Sequence, residues 1–473
     1  MKTKRKVRVV LVPYPFQGHI TPMLQLGTIL HSKGFSITIA HTNFNSPLPS
    51  IHPQFTFLPL PDKLDGFDTS FYNILNAVSV MNTNCEAPFE EYLVGMMEEE
   101  ELLACVIYDS IMTFVDVVAL RLGIPTMVLR TTTAAYMHSH ILMFRLLAHK
   151  LLPLPDESQL HATIPKAYPL RFKDLPLDAT KEIPKAVLDF IHSYTDIRSS
   201  SGVIWNTVDK LDSWPLQQLQ RNSPAVPFFP IGPLHKMAPT STTSLIEEDT
   251  NCMSWLDRKA PNSVVYVSLG SLATIDEKEL IEMARGLAKS EQPFLWVVRP
   301  SLLSGTDDAM GSLPEDFKEV IGDRGLVVKW APQKKVLAHP AVGGFFTHCG
   351  WNSSLESICE GVPLICRPCF ADQTVNARYI THVWKIGIEL EINNNNSNKN
   401  NCLEKRIERA VRTLMVSEQG KEMKKRAIEM KVEVERSMEI GGSSCQSLDH
   451  LVEFIISLSR GPVRPIRWPG TRI

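Results

Sequence analysis

A short apolar strand that runs through a glycine-containing turn into an amphipathic helix occurs twice in this chain, and that repetition limits its possible folds more than any other feature. The first copy spans Arg8 to Gly34. It has a β-branched run from Val9 to Val12, a turn through Gln17-Gly18-His19, and a helix expected to carry Pro22 in its first turn, with apolar positions at Met23, Leu24, Leu26 and Leu30. The second spans Ser263 to Pro300, where Val264 to Val267 leads into Leu269-Gly270-Ser271, a helix over about Asp276 to Ala288, and the strand Phe294 to Val298. Further strands are expected at Ser36 to Ala40, Ala104 to Ile107, Thr126 to Leu129, Val203 to Ile204, Leu326 to Val328, Gly344 to Phe346 and Pro363 to Ile365. Strands that alternate with helices predict an α/β protein with one parallel, helix-covered sheet in each half.

A chain of 473 residues, 44% of them hydrophobic, can fill two cores. The expected division is an N-terminal domain over 1–235, a linker over 222–250 rich in Pro, Ser and Thr, a C-terminal domain over 251–445, and a helix over 446–458 packing back on the N-terminal domain. The Asn-rich run Asn393 to Asn401 reads as a solvated loop, and 459–473 as a disordered tail of no assigned role. A formal charge of −2 leaves no broad basic surface for nucleic acid. The apolar run behind the basic N-terminus stops at Pro13, too short for a signal sequence or a membrane span, and nine scattered cysteines fit a reducing compartment. A cytoplasmic protein, expected to be a monomer, is the resulting picture.

In open parallel sheets ligands gather at the carboxyl ends of strands, where a following helix offers N–H groups to an anion. In the second half that rule selects Phe345-Phe346-Thr347-His348-Cys349-Gly350-Trp351-Asn352-Ser353-Ser354-Leu355-Glu356. Gly350 is expected to make the turn and Asn352 or Ser353 to cap the helix. A diphosphate fits at that helix start, and Glu356, one turn after Asn352, could accept from paired ribose hydroxyls. In the first half His19 and Asp109 both leave carboxyl ends of strands. On placement alone they are either a general base with its orienting carboxylate or a structural histidine and a helix-capping aspartate. Bland readings exist elsewhere too: a Trp such as Trp330 after a strand is ordinarily core, and an Asp-Gln pair such as Asp372-Gln373 is ordinarily a solvated loop.

The stretch from Trp330-Ala331-Pro332-Gln333 through His348-Cys349-Gly350-Trp351-Asn352-Ser353 and Glu356 to Asp372-Gln373 closely resembles the sugar-nucleotide signature of plant family 1 glycosyltransferases. The likeness extends to Pro15-Phe16-Gln17-Gly18-His19 and to Gly441-Gly442-Ser443-Ser444. The resemblance implies a GT-B type fold, two Rossmann-like doubly wound domains facing across a cleft, and UDP-glucose as co-substrate with no further cofactor and no metal. It implies that Trp330 stacks on uracil with Ala331 and Gln333 nearby, that His348, Asn352, Ser353 and Ser271 hold the diphosphate, and that Glu356 binds ribose. Trp351, Asp372 and Gln373 would contact the hexose, with Gln373 favouring glucose, and His19 with Asp109 would form the catalytic dyad. Direct displacement would then invert the anomeric centre, with His348 and backbone donors neutralising the leaving charge.

Acceptor contacts are expected from Phe16, Ser110, Met112, Thr131, Thr132, Thr133, Met137 and Ala371, a mix suited to a small apolar alcohol. The pattern looks most like the subgroup acting on terpenoids, flavonoids or cytokinins. Cys366-Arg367-Pro368-Cys369 has the spacing of a redox or zinc motif but lacks a partner pair, and His138 and His140 stand without other ligand types close by. Two other readings compete. A nicotinamide-dependent oxidoreductase would need a Gly-x-Gly-x-x-Gly after an opening strand, which neither copy has. A non-catalytic binder of sugar nucleotides would keep Trp330 and Glu356 without needing His19 and Asp109.

Overall fold

The computed structural model describes residues 6–67, 73–165, 167–238, 248–303, 308–390 and 402–460. Part of the expected linker (239–247), the Asn-rich run and the tail beyond 460 lie outside the described residues.

The chain forms two compact units. One comprises the described residues of Met1–His138, Ile183–Leu245 and Ser437–Ile473, the other those of Ser139–Glu182 and Ile246–Arg436. Residues 139–182 thus group with the second unit although they fall inside the domain expected over 1–235, and the chain's last helix groups with the first unit.

The first unit is built on a parallel sheet of β1 (Val7–Val12), β2 (Ser36–Thr42), β3 (Thr56–Leu60), β4 (Leu102–Asp109), β5 (Thr126–Arg130), β6 (Gly202–Trp205) and β7 (Phe228–Pro230), in the order β3-β2-β1-β4-β5-β6-β7. β1 is central because both its faces are apolar. Val9 and Leu11 enter one core with Leu26, Ile29 and the last helix's Leu448, Leu451 and Ile455, while Val10 and Val12 enter the opposite core with Phe89, Val115 and Val118. The last helix, Ser443–Leu458, is held further by Ser444 Oγ donating to Gly232 O at 2.6 Å.

In the second unit β8 (Val264–Ser268), β9 (Phe294–Val297), β10 (Gly325–Val328), β11 (Val342–Thr347), β12 (Leu364–Cys366) and β13 (Gly387–Glu389) form a parallel sheet ordered β10-β9-β8-β11-β12-β13. The helix Glu277–Lys289, capped by Asp276 accepting from Glu279 N at 2.7 Å, covers Val265 and Val267. Gly286 lets the helix Leu403–Val416 approach closely, since a Cβ there would lie 2.7 Å from Glu404 O.

Three strands escaped the sequence reading. β7 lies inside the stretch read as linker; as a three-residue edge strand ending in Pro it shows no periodicity, and Pro is tolerated at an edge. β3 and β13 are likewise short edge strands. The helix Gln17–Ser32 starts at Gln17, so Gln17-Gly18-His19 are its first turn and Pro22 lies inside it.

Gly232 shows how tightly the first unit closes: a Cβ there would sit 2.5 Å from Thr207 N and 2.7 Å from Asn206 C, both backbone atoms. Gly232→Ala is expected to destabilise this unit by about 3 kcal/mol, because backbone cannot yield as a side chain can. A lowered melting temperature measures it.

Candidate active site

Each sheet reverses its strand order at one point, between β1 and β4 in the first and between β8 and β11 in the second. These are the switch points at which doubly wound sheets bind ligands, and the residues selected from sequence gather at both.

At the first, the helix after β1 carries His19 in its opening turn and β4 ends at Asp109. His19 Nδ1 lies 2.7 Å from Asp109 Oδ2 and 3.1 Å from Thr131 Oγ1, which follows β5. The Asp109 side chain is only 3% exposed, and its Oδ1 accepts from Ile111 N at 3.1 Å, so the carboxylate is fixed before it meets the ring. An ionised carboxylate only accepts, so Nδ1 carries the proton and the basic electron pair stands on Nε2. The imidazole is 25% exposed, and Tyr14 meets it edge-on with ring centroids 5.1 Å apart. Burial, and then the charge of Asp109, push the Tyr14 phenol far up, which keeps it protonated. The pair can take a proton from a bound alcohol and hold the resulting imidazolium.

At the second switch point His348 follows β11, and the loop after β8 comes up beside it. A Cβ on Gly270 would lie 2.5 Å from His348 Cε1, and one on Gly350 2.5 Å from His348 Nε2, so the ring rests against two glycines closer than a side chain at either would allow without a shift. Gly270 also has φ +73. The left-handed residue of the next turn is Cys349, φ +65, while Gly350 is the extended N-cap of the helix Trp351–Cys359. This corrects the expected turn: Gly350 serves space rather than backbone conformation, and Asn352 and Ser353 lie within the first helical turn instead of capping it.

Gln333 ties the second site together, Nε2 donating to Ser353 Oγ at 2.9 Å and to Glu356 Oε2 at 2.8 Å, while Oε1 accepts from Tyr266 OH at 3.3 Å. Trp330 and Ser271 are half-buried, and the Trp330 carbonyl accepts from Asp249 N at 3.1 Å. Asp372 Oδ2 accepts from Asn376 Nδ2 at 2.8 Å, and the same amide donates to Cys349 O at 2.9 Å, joining this loop to the His348 turn. Gln373 Oε1 accepts from the backbone N–H groups of Cys369 and Phe370 at 2.8 and 3.1 Å.

A family model described as UDP-glucoronosyl and UDP-glucosyl transferase matches residues 25–422, a span that includes the whole second site. The chain belongs to the UDP-glycosyltransferase family. It is 54% identical over 463 residues to UDP-glycosyltransferase 76E1 of Solanum lycopersicum, covering 97% of this chain and 94% of that one. To the flavonol 3-O-glucosyltransferase UGT76E12 of Arabidopsis thaliana it is 42% identical, with 95% and 97% covered. Among solved structures, Phytolacca americana UGT2 complexed with UDP-2fluoro-glucose and pterostilbene superposes with a TM-score of 0.79 at 28% identity, covering 96% of this chain and 100% of that one. The protein is thus a UDP-sugar-dependent glycosyltransferase of the GT-B class.

Not every residue selected from the sequence of this glycosyltransferase presents a surface. The Trp351 indole is 2% exposed and packs beside Trp384, so the side chain is part of the core. Met112 is fully buried among Tyr108, Phe114 and Val115, Phe16 is buried with its ring 4.9 Å from Tyr14, and Met137 is buried as well. Thr133 Oγ1 accepts from Tyr136 N at 3.1 Å at the start of a helix, and Thr131 joins the dyad. Ser110, Thr132 and Ala371 keep accessible surface, and Ser110 Oγ accepts from Arg130 at 2.6 Å. Cys366 and Cys369 take no part in a metal cluster: among the described residues no group of three His, Cys, Asp or Glu could hold one. No described helix is long and apolar enough to cross a membrane.

Sequence reasoning passed over Arg299, at the carboxyl end of β9, and Arg367, at that of β12. Arg367 pairs with Glu279, Nε at 2.7 Å and Nη2 at 2.6 Å. The strand-end rule that selected His348 would have found both.

Burial, then the charges of Arg299 and Arg367, lower the His348 pKa to about 4. The ring is therefore neutral at pH 7 in the protein alone, where it can donate a hydrogen bond but brings no charge of its own. An unfolded histidine titrates near 6.5, so the folded protein binds fewer protons between about pH 6.5 and 4, and stability falls as pH falls through that window. Melting curves at pH 7 and 5 are expected to show a smaller acid loss in His348→Gln than in the wild type.

Proposed function

We propose that this glycosyltransferase moves glucose from UDP-glucose, with inversion, onto a hydroxyl, or a carboxyl, of a small apolar acceptor such as a terpenoid, a flavonoid or one of their glycosides. The observation that carries the reading is the His19–Asp109 contact of 2.7 Å at the first switch point, which prepares Nε2 to accept an alcohol proton. A single base and no protein nucleophile are what direct displacement at the anomeric carbon requires. In this reading Trp330, with Ala331 and Gln333, receives uracil, Glu356 the ribose, Ser271, His348, Asn352 and Ser353 the diphosphate, and Asp372 and Gln373 the hexose. Gln373 supports a hexose role because two backbone donors fix its carbonyl oxygen, which sets the position of its NH2 donor.

A relative named flavonol 3-O-glucosyltransferase and a solved structure holding pterostilbene support a planar apolar acceptor. Nine cysteines present as thiols support a cytoplasmic setting. The reading is tested by incubating the protein with UDP-glucose and a panel of flavonoids, terpenoid alcohols and their glycosides. Product mass should rise by one hexose, and proton coupling at the anomeric carbon should report a β-glucoside. An α-glucoside would remove inversion, and absence of transfer to every acceptor class would remove the reading.

A further inference from the structure

Arg299 is 3% exposed, and among the described residues its guanidinium bonds only backbone carbonyls. Nε donates to Ser271 O at 3.1 Å, Nη2 donates to Ala273 O, and Nη1 is buried without a partner. No carboxylate among the described residues pairs with it. Among the other buried guanidinium groups of the described residues, Arg367 is gripped by Glu279 and Arg171 by Asp174 and Glu389, while Arg130, which has no ion pair either, lies in the fields of Asp109 and Asp116.

A buried, unpaired charge is among the most unfavourable features a fold can keep. Two carbonyls offset part of that penalty and leave the net charge in place. Desolvation lowers the Arg299 pKa only to about 10, so the group remains a cation at neutral pH. Its location gives the charge a use. It holds the loop that follows β8 from behind, while Gly270 of that loop lies against the His348 ring. His348 feels it directly, since Arg299 is the largest charge acting on that ring.

We propose that Arg299 is the fixed counter-charge for the donor's diphosphate, a positioning residue that fixes the Ser271–Ala273 backbone and supplies positive field to it without touching uridine or sugar. This rests on the reading of the Ser271 and His348 loops as the diphosphate site. A neutral His348 leaves that site in need of a cation, and Arg299 provides one that needs no reorganisation when the phosphates arrive or when charge builds on the leaving group.

The test is calorimetric binding of UDP, UMP and uridine to the full-length protein in wild-type, Arg299→Gln and Arg299→Lys forms. In Arg299→Gln, UDP affinity is expected to fall by about 30-fold or more while uridine affinity changes by less than about threefold, with UMP between them. Arg299→Lys, which keeps the charge with fewer donors, is expected to retain most of the preference for UDP over uridine. Equal losses for UDP and uridine would mark Arg299 as a structural prop and overturn the proposal, as would unchanged UDP affinity. If Arg299→Gln does not fold, Arg299→Lys decides: loss of the UDP preference overturns the proposal and its retention supports it. Wild-type protein that binds uridine and UDP equally would instead remove the diphosphate reading of the loops.

Discussion

His19→Ala is expected to lower kcat by about 10³-fold while leaving UDP affinity unchanged, because the imidazole belongs to the first unit and the nucleotide residues to the second. The acceptor hydroxyl then has to lose its proton to water during attack. Asp109→Asn separates orientation from charge. An asparagine can offer N–H to Nδ1, which reverses the tautomer and puts the proton on Nε2, where it blocks base catalysis, so a loss of about 10²- to 10⁴-fold is expected with geometry preserved. Initial-rate kinetics at saturating UDP-glucose, together with UDP titration, measure both. A His19→Ala enzyme that turned over at the wild-type rate would place the base elsewhere.

Gly270→Ala is the second large effect. The position has φ +73, unfavourable for any side chain, and the new methyl carbon would lie 2.5 Å from Cε1 and 2.6 Å from Nε2 of His348. Either the His348 ring or the β8 loop must shift, and the loop carries the Ser271 backbone that Arg299 holds. A displacement of about 1 Å is enough to cost a factor of roughly 10² in a preorganised site. The expected result is an increase of that order in the UDP-glucose KM and in the UDP dissociation constant, with acceptor binding little changed. An unaltered KM would show that the close approach of Gly270 to His348 is not part of donor binding.

The parts of this protein that were legible in its sequence are those where local pattern and tertiary role coincide. Val9 to Val12 and Val264 to Val267 are apolar on both faces because each lies at the centre of its sheet, and such runs declare themselves. β3, β7 and β13 are short edge strands with half-solvated faces, so nothing in their composition separates them from loop. At the sites, His19, Asp109, His348 and Glu356 were found by one rule, that ligands meet the carboxyl ends of strands. What the rule omits is how the side chains find each other. Gln333, twenty residues before Ser353, bonds both Ser353 and Glu356, a convergence that only the folded sheet produces. Thr131 read as an acceptor contact and sits on the dyad, while Met112 and Trp351 read as surface and are core. Direction was the missing information: a turn residue's side chain goes wherever the next element leaves room.

The helix Ser443–Leu458 belongs to the same unit as β1, although more than four hundred positions separate them in the chain. During synthesis the amino-terminal sheet can form early, yet one of its apolar faces waits for Leu448, Leu451 and Ile455, which leave the ribosome after the described residues of the nucleotide-binding unit. The proton-accepting unit, begun before its neighbour, is thus closed after it.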